Sequence, residues 1–311
     1  MSKVSATHGL YDPRNGGQAL RIESLSWQRK PFEPVRTNYF SVYLIEAGSG
    51  TFWADASQFA FGPDSLLCFV PYQHLRFAPD RTVRGEVIQF HANFLCVETF
   101  HAEVGCSGVL FNDPYGIPAV MLDERTKSEV KGLYDRIRLE QAGRDLAFNE
   151  VMLAHLKVML ILATRRKSST AACGPGADFR HPLLSGLRDL IEQDYCTRHA
   201  PADYARKLHV TAKTLGRIVR EHLGTTPTNL IRNRILIHAK WQLLHTRKPV
   251  KEISRELGFR DELYFSRLFK KATGLSPTFF REFETEIRGG SNLSMFSAHA
   301  PILRSAAASD T

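Results

Sequence analysis

The sequence has few of the features that mark a secreted, zinc-binding or membrane-spanning protein. Its five cysteines are an odd number, and none forms the C-x-x-C pair typical of zinc and redox sites. The most apolar run, Val158 to Ala163, lies between Lys157 and Arg165 and is far too short to cross a bilayer. The N-terminus also lacks a basic segment followed by an apolar one. We therefore expect a reduced, cytoplasmic protein without disulfides or membrane contact.

Motifs of common enzyme classes are also missing. The sequence has no P-loop, no dinucleotide-binding fingerprint and no nucleophile elbow. These absences favour a protein without catalytic residues or a cofactor.

A large excess of basic over acidic residues occurs in only one part of the chain. Residues 181–290 hold 20 Lys and Arg against 12 Asp and Glu, a formal charge of +8. Residues 1–180 hold 20 against 19, and residues 291–311 are neutral. A basic surface confined to one region indicates a polyanionic partner such as double-stranded DNA, although a simply solvated surface has the same composition.

A helical pattern occurs twice within residues 201–283. Each copy reads as a short helix, a tight turn and a longer helix with basic residues on one side, which is the helix-turn-helix pattern. Before the turn the copies are 49 residues apart, as for Leu208 and Leu257, so the second turn is one residue longer. After the turn the offset is 50, and the matched pairs are Arg217 with Arg267, Gly224 with Gly274, and Pro227 with Pro277.

These residues resemble the signature of AraC/XylS-type transcriptional regulators. The resemblance is carried by Gly-Phe-Arg-Asp-Glu-Leu-Tyr-Phe-Ser-Arg-Leu-Phe-Lys-Lys-Ala-Thr-Gly-Leu-Ser-Pro (258–277) and by Arg-Ile-Leu-Ile-His-Ala-Lys (234–240), and covers roughly 183–284. Two departures are Ser254, where the family usually has Ala, and Gln242, where Leu is common and where we expect a position near the helix edge. The resemblance implies a transcription activator that contacts DNA, RNA polymerase and a small-molecule effector.

The longer helix of each copy is expected to contact DNA through its outward face. Thr211 and Asp261 are the predicted N-terminal caps of these helices. Arg217 and Arg267, near the helix middles, can make bidentate contacts to guanine, whereas Arg220 and Lys270 lie closer to the C-terminal ends and fit phosphate contacts. For Glu262 and Leu263 the sequence favours DNA contact and simple solvent exposure equally. The complete predicted DNA-binding set is Lys213, Gly216, Arg217, Arg220, Glu262, Leu263, Ser266, Arg267 and Lys270.

A single helix is predicted to join the two copies, from about Thr228 to His245. At 1.5 Å per residue its length is roughly 27 Å. A rigid connector of this length can place the two copies in adjacent major-groove segments, which are about 34 Å apart. One chain would then contact two segments of the same duplex. The residues expected to line its buried side are Ile231, Ile235, Ala239 and Leu243.

The first part of the chain has the pattern of short strands. Apolar runs between about 21 and 122 alternate with turn sequences such as Gly-Pro-Asp (62–64), which predicts an antiparallel β-barrel or jelly roll. The order of strands and turns resembles a cupin-like sensor domain. Metal-binding cupins carry a His-x-His pair, but His74, His91 and His101 each stand alone. We therefore expect a ligand pocket or packing module without a metal, and the ligand-binding residues are unknown.

Helical periodicity replaces the strand pattern at residues 123–166. The second helix is apolar around most of its girth at Val151–Ala163, so it is expected to pack on its own barrel or on a second subunit of a homodimer. The predicted class is α+β, with an N-terminal barrel and helical pair and a C-terminal all-α domain. The predicted divisions are a leader (1–20), a sensor barrel (21–122), a helical segment (123–166), a linker (167–180), a DNA-binding domain (181–288) and a disordered tail (289–311).

Two other functions fit parts of this sequence. One is a cupin-type enzyme with an accessory DNA-binding domain, which the unpaired histidines argue against. The other is an architectural DNA binder without sequence preference, which the matched arginines argue against. The favoured function is a sequence-specific, ligand-responsive transcriptional regulator.

Overall fold

The N-terminal half of the chain is built from antiparallel strands. A computed structural model describes residues 9–97, 100, 108–111, 113–173 and 181–289. The strands are β1 (Leu20–Trp27), β2 (Phe40–Ala47), β3 (Gly50–Ala54), β4 (Ser57–Phe61), β5 (Ser65–Phe69), β6 (Leu75–Pro79), β7 (Val83–Phe90) and β8 (Ala119–Met121). They form one sheet in the order β1-β7-β2-β5-β8 and a second in the order β4-β3-β6.

The two sheets pack face to face and do not close into a single barrel. Phe52 and Phe77 of the smaller sheet are fully buried against Ile45 and Phe69 of the larger one. The antiparallel, cupin-like half of the predicted α+β class is therefore present as an open sandwich. Alternation in β3, where Phe52 is buried and its neighbours are half-buried, follows from the two-residue period of a strand.

Two helices cover the outer face of the larger sheet. They are α1 (Glu124–Gly143), capped by Asp123, and α2 (Phe148–Cys173). The buried residues of α2 lie on the same hydrophobic core as β2, β5 and β7, so this helix packs on its own domain. These buried residues are Met152, Leu153, Leu156, Met159, Leu160 and Ala163.

Two predicted boundaries need correction. Helix α2 continues to Cys173, so residues 167–173 are helical and are not linker; residues 174–180 lie outside the described residues. Within the predicted leader, Tyr11 is buried, and its backbone N–H donates to Asn38 Oδ1 at 2.6 Å. The sequence did not reveal the full length of α2, because residues 167–170 are polar and have the composition of a linker.

The C-terminal half is helical around its own core. Its helices are α3 (Pro182–Asp194), α4 (Pro201–Lys207), α5 (Ala212–Leu223), α6 (Pro227–His245), α7 (Val250–Glu256), α8 (Glu262–Thr273) and α9 (Pro277–Arg288). Their apolar faces form one contiguous core that includes Leu187, Leu215, Ile235 and Phe265. The predicted tail beyond residue 289 lies outside the described residues.

Candidate DNA-binding surface

The first helix-turn-helix unit consists of α4 and α5. Thr211 caps α5, because its Oγ1 accepts the backbone N–H of Thr214 at 3.1 Å. At the other end Gly224 has φ +62°, the left-handed conformation that glycine adopts without strain, and its N–H donates to Arg220 O at 3.1 Å. The apolar residues on the inner side of α5 are buried. They are Leu215, Ile218, Val219 and Leu223.

The second unit, α7 and α8, repeats this construction. Asp261 caps α8, since its Oδ1 accepts the N–H of Leu263 at 2.8 Å. Gly274 has φ +85° and ends α8 as Gly224 ends α5, with its N–H donating to Lys270 O at 2.8 Å. Phe265 and Phe269 are fully buried. The offset of 50 between α5 and α8 is therefore a repeat of three-dimensional structure as well as of sequence.

The connecting helix α6 has 19 residues, about 28 Å at 1.5 Å per residue. All four residues predicted for its inner side are buried. Gln242 is also buried, at 4% exposure, and its Nε2 donates to Glu256 Oε2 at 3.0 Å, so the expected position near the helix edge is wrong. The other departure, Ser254, is buried as well, and its hydroxyl donates to Lys251 O at 3.0 Å.

The predicted DNA-binding residues lie on the outer faces of α5 and α8. Lys213, Arg220 and Lys270 are exposed, whereas Gly216, Glu262 and Ser266 are half-buried. Leu263 is 70% exposed. None of these residues is committed to the protein core, so the outer faces of both helices are open to a partner.

The two matched arginines carry weak ion pairs. Arg217 Nη1 lies 2.8 Å from Glu221 Oε2, and Arg267 Nη2 lies 3.8 Å from Asp261 Oδ2. Both side chains are more than half exposed, and exposed pairs of this kind contribute only about 0–1 kcal/mol. A bidentate contact to guanine, worth about 1–3 kcal/mol, can therefore replace them.

Contacts from the sheet domain to these units were not predicted. Ser57 Oγ donates to Thr225 Oγ1 at 2.7 Å, directly after α5, and Gln58 N–H donates to Gly224 O at 3.2 Å. At the second unit, Arg36 Nη1 donates to the backbone carbonyl of Lys271 near the end of α8, at 3.3 Å. The N-terminal domain therefore touches the C-terminal end of both helices. No local sequence pattern encodes such contacts, because each joins residues more than 160 positions apart.

A buried polar cluster joins the two domains at α9. Glu284 accepts hydrogen bonds from Tyr72 and Asn38 and pairs with Arg288 at 2.9 Å. His91 Nε2 lies 3.6 Å from Glu284 Oε2. Burial alone raises the pKa of Glu284, but His91, Arg288 and Tyr72 together reverse this and lower the pKa to about 2. The carboxylate is therefore ionised and fully engaged.

The sheet domain also contains a cavity of 290 Å³. Its wall combines aromatic rings with polar side chains, which is typical of small-molecule sites. Gln89 Nε2 donates to Ser41 Oγ at 2.9 Å, and Gln89 Oε1 accepts from Arg21 at 2.8 Å. Burial raises the pKa of Tyr43 to about 12, so its hydroxyl is protonated at neutral pH. The polar groups of the wall therefore include both donors and acceptors.

The histidines do not gather into a metal site within the described part of the chain. His74 faces Glu33, with Nε2 and Oε2 3.4 Å apart, and His91 belongs to the cluster at Glu284; His101 lies outside the described residues. The described residues hold no group of three or more His, Cys, Asp or Glu placed to bind a metal ion. Among the helices described, none is both long and apolar enough to span a membrane.

Two helix-turn-helix units joined by α6 follow an N-terminal domain that contains a ligand-sized cavity. This arrangement defines a DNA-binding regulator with a duplicated DNA-binding unit. A family model described as a helix-turn-helix domain matches residues 204–282. The arabinose operon regulatory protein of Salmonella typhimurium is 38% identical over 262 residues, which are 80% of this chain and 85% of that protein. The chain belongs to the AraC-type family of transcriptional regulators.

Two further comparisons cover different shares of the chain. The transcriptional activator RhaS of Escherichia fergusonii is 28% identical over 161 residues, 52% of this chain, so the match spans about half of that relative (56%). The match to RhaR of Enterobacter sp. spans 60% of that relative's length, at 25% identity and over 55% of this chain.

Proposed function

We propose that this protein is a sequence-specific transcriptional regulator that contacts two adjacent major-groove segments with α5 and α8. The observation that carries the proposal is the matched construction of these two helices, each capped at both ends and joined by α6. The connector is about 28 Å long, close to the 34 Å that separate successive major-groove segments on one face of the duplex. Arg217 and Arg267 would read bases, and Arg220 and Lys270 would contact phosphate.

The N-terminal domain is proposed to sense a small-molecule effector in its 290 Å³ cavity. Arg21, Gln89 and Tyr43 would hydrogen-bond a polar ligand, while the aromatic wall would cover its apolar faces. Because Ser57 and Arg36 contact the units that carry α5 and α8, a shift in this domain would change how the two helices are presented.

The proposed output is activation through RNA polymerase, because two of the relatives are named transcriptional activators. We also propose that the protein is cytoplasmic and has no enzymatic activity, which is supported by relatives that are transcription regulators. A homodimer is proposed as well. It would use the outer side of α2, where Val158 is 46% exposed, on the side of the helix away from the buried residues Leu156 and Met159.

The direct test is binding of the full chain to duplexes obtained by selection from a random pool. Affinity should be strongest for an enriched sequence and should fall steeply between 50 and 200 mM salt, as expected when lysine and arginine displace counterions from phosphate. Equal affinity for all duplexes would contradict the sequence-specific proposal, and salt-independent binding would contradict the phosphate contacts.

A further inference from the structure

Leucine 263 is the most exposed apolar side chain of the C-terminal domain among the described residues that are large and hydrophobic. It is 70% exposed, and it occupies the second residue of α8, in the first helical turn. Burying a leucine side chain stabilises by about 1.5–3 kcal/mol, so a partner surface that covers Leu263 would gain binding free energy from the contact.

The position of Leu263 is fixed by the helix cap. Asp261 Oδ1 accepts the N–H of Leu263 at 2.8 Å, which holds the first turn of α8 in place. In a helix that enters the major groove, the residues of the N-terminal turn contact the base edges. On the same outer face, one turn further along α8, lies Arg267, which is also exposed. A duplex that contacts Arg267 would therefore also meet Leu263.

The two reading helices, α5 and α8, differ at this position. The residue of α5 that matches Leu263 at the offset of 50 is Lys213, a cation that suits guanine O6 and N7. An aliphatic side chain cannot accept or donate a hydrogen bond, and the apolar group that the major groove offers is the C5-methyl of thymine. The neighbouring Tyr264 is less free, because its ring lies 6.0 Å from that of Phe259 and the side chain is 52% exposed.

We propose that Leu263 makes the second half of the site specific for thymine by packing on its C5-methyl group. The inference rests on the proposed function, because it requires α8 to lie in the major groove. The two helices would then read different chemistry: hydrogen-bonding edges at Lys213 and a methyl group at Leu263. The two half-sites of the operator would therefore differ in sequence, although the two helix-turn-helix units that bind them are repeats of each other.

The test replaces each thymine of the selected site in turn by uracil, which removes the methyl group and keeps the base pair. With the full-length wild-type chain, one substitution in the segment read by α8 should weaken binding about fourfold, the effect of uncovering one methyl group. Leu263→Ala should bind the thymine and uracil duplexes equally. Leu263→Met, which keeps an apolar contact, should retain the preference for thymine.

Lys213→Ala is the matched control. It should weaken binding overall and leave the thymine-to-uracil ratio in the α8 segment unchanged. Leu263→Lys, which copies the first helix, should lose the response to the methyl group and favour guanine there. Because Leu263 is exposed, the variants at this position should have the same free energy of unfolding as the wild type.

The outcomes separate this inference from the proposed function. Sequence-specific binding with no response to any uracil, or a selected site without thymine in that segment, would overturn the role of Leu263 alone. A uracil response that persists in Leu263→Ala would assign the methyl contact to another residue. Failure to select any sequence would overturn the proposed function itself.

Discussion

Arg220 and Arg217 lie on one helix but are expected to act on different parts of the duplex. Arg220 is in the last turn of α5, beside the C-cap Gly224, whereas Arg217 is nearer the middle. Side chains near the end of a helix in the major groove reach the backbone more readily than base edges. The position along the helix therefore separates affinity from specificity.

Replacing Arg220 by alanine should weaken binding to all duplexes by a similar factor. The loss of one phosphate contact should also reduce the slope of log affinity against log salt by about 1. Titrations of specific and random duplexes at several salt concentrations measure both effects. Arg125→Ala, which removes an exposed charge from α1, is the control and should change neither quantity. A loss confined to one sequence would assign Arg220 to base contact.

Single residues also show where sequence reasoning succeeded and failed. Thr211 and Asp261 were predicted as caps because a cap depends only on neighbours a few positions away. The burial of Gln242 was missed, because its partner Glu256 comes from the next helix. The hydrogen bond to the next helix satisfies Nε2 of Gln242, whereas Oε1 is buried without a partner among the described residues.

Helix α2 illustrates how an apolar sequence can have two explanations. Its sequence is apolar around most of its girth, and the covering surface could have been its own sheets or a second subunit. Leu156 and Met159 lie within the core shared with the larger sheet, so most of this burial is within the chain. What remains for a partner is the half-exposed side that includes Val158.

Leu156→Ala should destabilise the protein by about 2–5 kcal/mol, because it leaves a cavity in that core. Val158→Ala is the matched control on the same helix and should change the free energy of unfolding by less than about 0.5 kcal/mol. Urea unfolding followed by circular dichroism measures both. Equal effects of the two variants would show that α2 does not pack on the sheets as described.

Self-association is tested separately with Val158→Asp, which places a charge on the exposed side of α2. Sedimentation velocity at micromolar concentration should show a dimer for the wild type and a smaller species for the variant. A monomeric wild type would reject the homodimer and leave α2 with a purely intrachain role.

The two domains are joined by contacts that no local pattern could predict. The open sandwich and its order of strands follow from pairings between distant segments. The repeat of α5 and α8, in contrast, was visible in the sequence because each copy is a short continuous segment. The packing of residues 10–12 and Asn38 against α9 was missed for the same reason, since both segments have the composition of loops. The sequence therefore predicted the individual units better than it predicted the contacts between them.

Glu284 is the centre of that junction, and replacing it by glutamine should destabilise the protein by about 3–5 kcal/mol at neutral pH. The pKa of Glu284 is lowered to about 2 in the folded state, from an ordinary value of 4.5. Its contribution is therefore present above pH 4.5 and lost as the pH falls towards 2. The free energy of unfolding of Glu284→Gln should lack this part of the pH dependence, which arises from the contacts of Glu284 with His91, Arg288 and Tyr72.

Glu286→Gln is the control for this variant, because Glu286 is 59% exposed and pairs with Arg14 at the surface. Its effect should be below about 1 kcal/mol. Thermal unfolding between pH 2 and 7, with hydrogen exchange at Asn38 and Tyr72, measures stability and the integrity of the junction together. If the stability of the wild type and that of Glu284→Gln depend equally on pH, Glu284 does not stabilise the junction between the two domains as described.

Binding-site selection with Arg217→Ala and Arg267→Ala tests whether one chain contacts two separate segments of DNA. Each variant should lose about 1–3 kcal/mol on the wild-type site and lose base preference at different positions, about 10 base pairs apart. If both variants select the wild-type sequence, or if only one segment of the site affects binding, the chain does not contact two segments. Helix α8 would then be only a structural copy of α5.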